Sequence, residues 1–206
     1  MTRLGTVLLL AAVACEAAPR VFDASCAISA RRSSRGQVAC VMASGCTPVP
    51  TPTGSEPASP NDFNTAPWTT LNSGAAAPTV TNAAAAGPDC GASSASTIAL
   101  PAVTAGQYSG VYQPNGCRTL FGNVDQSVYV KGVTVGGTIS MCSFSLAPSC
   151  VDCVFTATAF TKCARTNVNT GATGDFFLGY VPTETGGVAG PAVTVAVWGS
   201  DCVDPP

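Results

Sequence analysis

Strict alternation of apolar and polar residues marks the second half of this chain. Ala192-Val193-Thr194-Val195-Ala196-Val197-Trp198 sets three valines on one face of an extended strand and Trp198 on the other. Ser127 to Val135 and Thr138 to Phe144 are further β-rich runs, separated by Gly136-Gly137. Paired glycines supply the positive φ of primed turns, so these two runs predict a hairpin. Cys153 to Cys163 contains no breaker and is rich in strand formers, which predicts one long strand. Phe176 to Val181, Thr97 to Thr104 and Gln107 to Tyr112 are shorter candidates. Helical periodicity is convincing nowhere. The pattern predicts a mostly β chain: a small disulfide-stabilised antiparallel β-sandwich of roughly six to eight strands.

The first half reads differently. Arg3 precedes a short apolar run, Leu4 to Ala14, too short to span a bilayer and suited to a signal-peptide core. Cleavage after Ala17 gives a signal peptide over 1–17. Residues 18–46 show no sustained period and form an irregular segment holding Cys26, Cys40 and Cys46. Arg31-Arg32 within it is read as part of a solvated loop, with a processing site as the alternative. Residues 47–89 are rich in Pro, Thr, Ser and Ala, a composition that keeps a chain extended and hydrated. They are expected to form a disordered linker suited to O-glycosylation. No Asn-x-Ser/Thr acceptor occurs, and Asn115-Gly116-Cys117 is the rare cysteine variant. The folded β domain is then expected over 90–206.

Eleven cysteines and no histidine narrow the chemistry. Removing Cys15 with the leader leaves ten: Cys26, Cys40, Cys46, Cys90, Cys117, Cys142, Cys150, Cys153, Cys163 and Cys202. An even set in a chain with a leader predicts disulfides and an extracellular location. Three precede the linker and seven follow it, so either one bridge crosses or each side keeps a free thiol; free thiols are unusual in secreted chains, which favours a crossing bridge, with Cys46 to Cys90 as a candidate. If residues 153–163 form one strand, Cys153 and Cys163 lie ~33 Å apart at ~3.3 Å per residue and cannot pair. Cys150-Val151-Asp152-Cys153 lacks the helix start that tunes a redox C-x-x-C, so two adjacent structural bridges are expected there. A rival for the leader is a lipobox at Ala12-Val13-Ala14-Cys15, which would make the chain a bacterial-type lipoprotein anchored through Cys15. Its first position is Ala where Leu is usual.

Without histidine there is no Ser-His-Asp or Cys-His relay and no histidine metal site. Asp125, Asp152, Asp175, Glu184 and Asp201 are scattered, and no motif joins them into a hydrolytic pair. No catalytic, cofactor-binding or metal residue is assigned, and no cofactor is expected. Without the leader's Arg3 and Glu16, eight basic and ten acidic residues remain of nine and eleven. Such a charge-poor chain lacks a nucleic-acid footprint. No second hydrophobic segment suggests a transmembrane span.

Gly116-Cys117-Arg118-Thr119-Leu120 resembles the Gly-Cys-x-Thr-Leu stretch of the six-cysteine extracellular domains of nematodes. Pro88-Asp89-Cys90 would open that domain and Ser200-Asp201-Cys202 would close it. The chain departs from the family at Phe121 to Val124, where another cysteine is usual, and in its additional Cys150, Cys153 and Cys163. The resemblance implies a secreted module and carries over no catalytic residue.

The expected role is an extracellular structural or interaction protein without catalysis. Its partners would be extracellular glycans or matrix and surface proteins. The first alternative is a carbohydrate-binding module or surface adhesin, with Trp198, Tyr108, Tyr112 and Tyr129 as ligand-face aromatics; a small carboxylate hydrolase is another. Intact mass of the secreted chain, alkylated before and after reduction, checks this reading: ten alkyl groups should be gained only after reduction. Thiols reactive beforehand, or an acylated Cys15, would contradict it.

Overall fold

The computed structural model describes residues 48–50, 57, 59–117, 123–143, 149–169, 174–181 and 188–203. Ten strands run along them: β1 (Thr69–Ser73), β2 (Thr79–Ala85), β3 (Ala95–Leu100), β4 (Tyr108–Gln113), β5 (Asn123–Gly132), β6 (Gly137–Ser143), β7 (Ser149–Phe155), β8 (Thr161–Asn169), β9 (Phe176–Tyr180) and β10 (Val193–Val203). They form two five-stranded sheets, β1-β4-β9-β6-β7 and β2-β3-β10-β5-β8, in which every strand pair is antiparallel. The β-sandwich expected from the alternation is what forms.

One face of each strand fills the space between the sheets. Val111, Ile139, Met141, Phe155, Phe176, Leu178 and Tyr180 of the first sheet meet Ile98, Leu100, Val124, Val128, Val130, Val193, Val195 and Val197 of the second. All are buried, and each side chain removed from water contributes ~1.5–3 kcal/mol.

The folded unit starts well before Cys90, because β1 and β2 come from the stretch read as linker. Both are edge strands, β1 on β4 and β2 on β3. An edge strand is held by backbone hydrogen bonds on one side and needs few apolar side chains, so threonine and alanine suffice. Pro78 sits just ahead of β2, where its missing donor breaks no ladder. Phe63 and Trp68, also in this stretch, are buried 4.6 Å apart, and Trp68 meets Phe176 edge-on at 5.8 Å. The Trp68 indole donates to the Ser59 carbonyl at 3.1 Å.

The expected hairpin over Gly136-Gly137 does not form. β5 and β6 lie in different sheets, and residues 133–136 carry the chain across the sandwich. The tight spot is Gly132, where a Cβ would stand 1.7 Å from the Val135 carbonyl oxygen. The expected single strand over 153–163 is likewise two. After β7 the chain turns at 156–160, where the Thr156 hydroxyl accepts from the Ala159 amide at 3.4 Å, and it enters the other sheet as β8. Hydroxyl-to-backbone bonding makes a turn without glycine or proline.

That turn reverses the cysteine prediction: Cys153 and Cys163 are bonded to each other, Cα atoms 5.2 Å apart, and staple the two sheets together. Cys142–Cys150 links neighbouring strands β6 and β7, and Cys117–Cys202 joins the turn after β4 to β10. The two cysteines of the C-x-x-C thus serve separate structural bridges on opposite faces of β7. Cys90 is also disulfide-bonded. Cys26, Cys40 and Cys46 lie outside the described residues.

Two outcomes are expected. Loss of Cys117–Cys202, which closes 85 residues, should cost ~4–5 kcal/mol, against ~2.5 kcal/mol for the 8-residue Cys142–Cys150 loop, measured by denaturant unfolding of double alanine variants. A chain beginning at Cys90 should fail to fold, read as loss of the cooperative transition, since it lacks both edge strands and Trp68.

Candidate functional site

The outer faces of the sheets are where function can sit. On the second sheet, pairing aligns side chains in rows: Trp198 beside Tyr129 beside Lys162, then Asp201 beside Ser127 beside Ala164. Ser127 and Ala164 are small, so the second row forms a depression beyond the bulky first row. A groove of about 160 Å³ lies there, lined by Asp125, Ser127, Lys162, Arg165, Thr166 and Asp201 among others. Asp125 and Asp201, scattered in sequence, meet in this groove. Asp175 is elsewhere and buried, Asp152 is exposed on β7, and Glu184 lies outside the described residues.

The β-bulge in β10 brings Asp201 to the groove. Trp198 pairs with Tyr129 and Asp201 with Ser127, so three residue steps on β10 face two on β5. The extra residue reverses facing: Asp201 points outward and Cys202 inward, where it reaches Cys117. Gly199 takes φ +65, which suits glycine. Its amide donates to Asn61 Oδ1 at 2.7 Å, and the Ser200 amide to the Pro60 carbonyl at 3.1 Å.

Burial raises the Asp201 carboxyl, opposed by the Lys162 charge and by the Cys202 backbone amide. Asp201 Oδ1 is buried with no hydrogen-bond partner among the described residues. A buried acceptor without a donor costs ~1–3 kcal/mol. Arg165, lowered by burial, is engaged at the groove wall, donating to the Ser149 carbonyl at 2.5 Å and hydroxyl at 2.6 Å. The Lys162 ammonium stands 6.0 Å from the Tyr129 ring centroid.

The four aromatics proposed from sequence do not share a face. Tyr129 and Trp198 meet edge-on at 5.7 Å on the second sheet; Tyr108 and Tyr112 lie on the outer face of the first, half-buried. Trp198 does face away from the valines, but it is fully buried, because the turn after β2 packs on it at Gly87. It is therefore not an exposed stacking platform. Tyr112 sits in a second apolar cluster with Phe177, Cys142 and Val181, and its hydroxyl donates to Asp175 Oδ2 at 2.8 Å. Arg118 to Leu120 lie outside the described residues. Among the described residues there is no cluster of three metal-ligating side chains and no helix long and apolar enough to cross a membrane.

The fold and groove define a two-sheet β-sandwich with a shallow polar site on one outer face. No protein-family model and no curated protein sequence matches the chain. Among solved structures, an exo-β-agarase is similar over 71% of this chain at 11% identity and TM-score 0.50; the match spans 24% of that chain. A family 61 carbohydrate-binding module in complex with β-1,4-galactotriose matches 73% of this chain and 99% of its own, at 11% identity and TM-score 0.48. A family 11 carbohydrate-binding module from Clostridium thermocellum, in complex with a β-1,3-1,4-mixed-linked tetrasaccharide, matches 70% and 93%, at 9% identity and TM-score 0.46. At such identities the agarase likeness is one of fold.

Tyr112 yields a pH prediction. Burial, then the Asp175 hydrogen bond and charge, pushes its phenol from 10.0 up to about 12. A folded pKa above the unfolded one contributes stability in full below pH 10, lost as pH rises toward 12. Alkaline unfolding followed by circular dichroism should show a fall across that window, shallower in Tyr112→Phe; an unchanged slope would contradict it.

Proposed function

We propose that this chain is a secreted, non-catalytic binding module whose ligand is a glycan seated in the groove between β10, β5 and β8. The observation that carries the reading is a groove whose lining brings together the acids Asp125 and Asp201, the hydroxyls of Ser127 and Thr166 and the cations Lys162 and Arg165. A sugar ring displays closely spaced hydroxyls, each donor and acceptor, and pairs with such a lining at several points. Tyr129, in the adjoining row, offers an apolar surface to the ring's C–H groups. The groove holds two acids and two bases, so no strong net charge selects an ion. Disulfides at all seven cysteines from Cys90 onward suit an oxidising extracellular setting.

Protein–protein interaction is the second reading. Val133, Val135 and Val154 are exposed on the β5–β6 connection and β7, away from the groove.

Affinity electrophoresis over soluble cellulose, xylan, β-glucan, chitin and agarose derivatives, followed by calorimetry with the best oligosaccharide, tests the proposal. Retardation by at least one glycan is expected, with Asp201→Ala and Ser127→Trp each weakening binding about tenfold or more, ~1.4 kcal/mol. Equal binding by both variants, or no retardation on any glycan, would overturn it. Release of reducing ends that Asp125→Asn abolishes would overturn the non-catalytic part.

A further inference from the structure

Asn115-Gly116-Cys117 is a sequence motif that the groove leaves unused. It has the form of an N-glycan acceptor, Asn-x-Ser/Thr, with a thiol in place of the hydroxyl and a residue other than proline between. The structure sets its acceptor in the open. Gln113 to Gly116 make a tight turn at the end of β4, the Gly116 amide donating to the Gln113 carbonyl at 3.2 Å. Asn115 is exposed, as is Pro114 before it, and stands in the left-handed region at φ +54. Asparagine is one of the few residues common there, which accounts for its backbone but not for its carboxamide. The backbone amide donates to Asp175 Oδ1 at 2.9 Å, while the side-chain carboxamide makes no hydrogen bond among the described residues. A glycan on that nitrogen would project into solvent and displace no contact of the fold.

Cys117 is the opposite case. It is fully buried and bonded to Cys202, and its amide donates to the Gly174 carbonyl at 2.6 Å. A disulfide sulfur carries no S–H, so the finished protein lacks the donor that serine or threonine would supply at this position. The motif can be read only before the bridge forms. That bridge is late: Cys202 follows Cys117 by 85 residues, whereas the other two described bridges close 8 and 10. At ~5–20 residues per second of synthesis, Cys117 waits roughly 4–17 s for its partner to be made. Disulfide formation then takes seconds or longer.

We propose that Asn115 is an N-glycosylation site, modified during secretion while Cys117 is still a thiol and closed by the Cys117–Cys202 bond. In the step, Asn115 Nδ2 bonds to the anomeric carbon of an oligosaccharide carried on a lipid diphosphate. The bond from that carbon to the diphosphate oxygen breaks, the lipid diphosphate leaves, and the nitrogen gives up one proton. The inference shares the secreted location with the glycan-binding reading and is independent of the groove.

The test expresses the full chain in cultured mammalian cells and maps the Asn115 peptide after peptide-N-glycosidase treatment in heavy-oxygen water. A portion without the enzyme corrects for spontaneous deamidation at Asn-Gly. Enzyme-dependent conversion of Asn115 to a heavy-labelled aspartate is expected in part of the wild-type chains, with Cys117–Cys202 intact in that fraction. Cys202→Ala, which leaves Cys117 a thiol, should raise occupancy about twofold or more, because the bridge no longer ends the reaction. Two variants matched in lacking the bridge separate the acceptor from the fold. Cys117→Ser with Cys202→Ala should be modified in nearly every chain, and Cys117→Ala with Cys202→Ala in none. An unmodified Asn115 in the wild-type chain, or a glycan confined to chains with a reactive Cys117, would overturn the site. Modification in the Cys117→Ala pair, or occupancy unmoved by Cys202→Ala, would overturn the part assigned to the thiol.

Discussion

The extra residue in β10 decides which way the end of that strand faces, and much else follows from it. Side chains alternate along a strand, so one added residue moves every later one to the other face. Up to Trp198, odd-numbered residues of β10 point into the sandwich; from Asp201 on, even-numbered ones do. Cys202 is thereby aimed at Cys117, and Asp201 is left over the groove floor. A bulge frees backbone amides that must be satisfied, and Pro60 and Asn61 accept from them. The segment ahead of β1 is thus tied to the bulge that brings Asp201 to the site.

Stapling compensates for a core made largely of valine and a few aromatics. Among the described residues no strand of one sheet pairs with a strand of the other, so the layer between them is filled by side chains. Cys153–Cys163 and Cys117–Cys202 cross that layer at separate places, while Cys142–Cys150 stays within one sheet. Binding chemistry is then free to occupy an outer face, whose residues contribute little to the core.

Much of the sandwich was legible in the alternation: β5, β6, β9 and β10 all begin within a few residues of where valine and aromatic spacing puts them. Elements governed by backbone bonding were not. β1 and β2 are threonine- and alanine-rich edge strands whose composition matches that of a solvated linker. The turn at 156–160 uses a threonine hydroxyl instead of glycine or proline, which hid the break between β7 and β8 and with it the Cys153–Cys163 bridge. The paired glycines at 136–137 signalled a turn but not which sheet follows it. The facing of Trp198 was readable from the valines around it; its burial was not, because Gly87 is 111 positions away. Asp125 and Asp201 could be found only through the register that sets them beside Ser127.

The most direct test of this account shifts the end of β10 by one residue past the bulge. Inserting one alanine after Ser200 puts the alanine opposite Ser127 and should turn Cys202 outward and Asp201 inward. Differential alkylation with peptide mapping, applied to the insertion variant, is the measurement. The account predicts two newly reactive thiols, Cys117 and Cys202, with Cys142–Cys150 and Cys153–Cys163 retained. An intact Cys117–Cys202 bond in a folded insertion variant would contradict it.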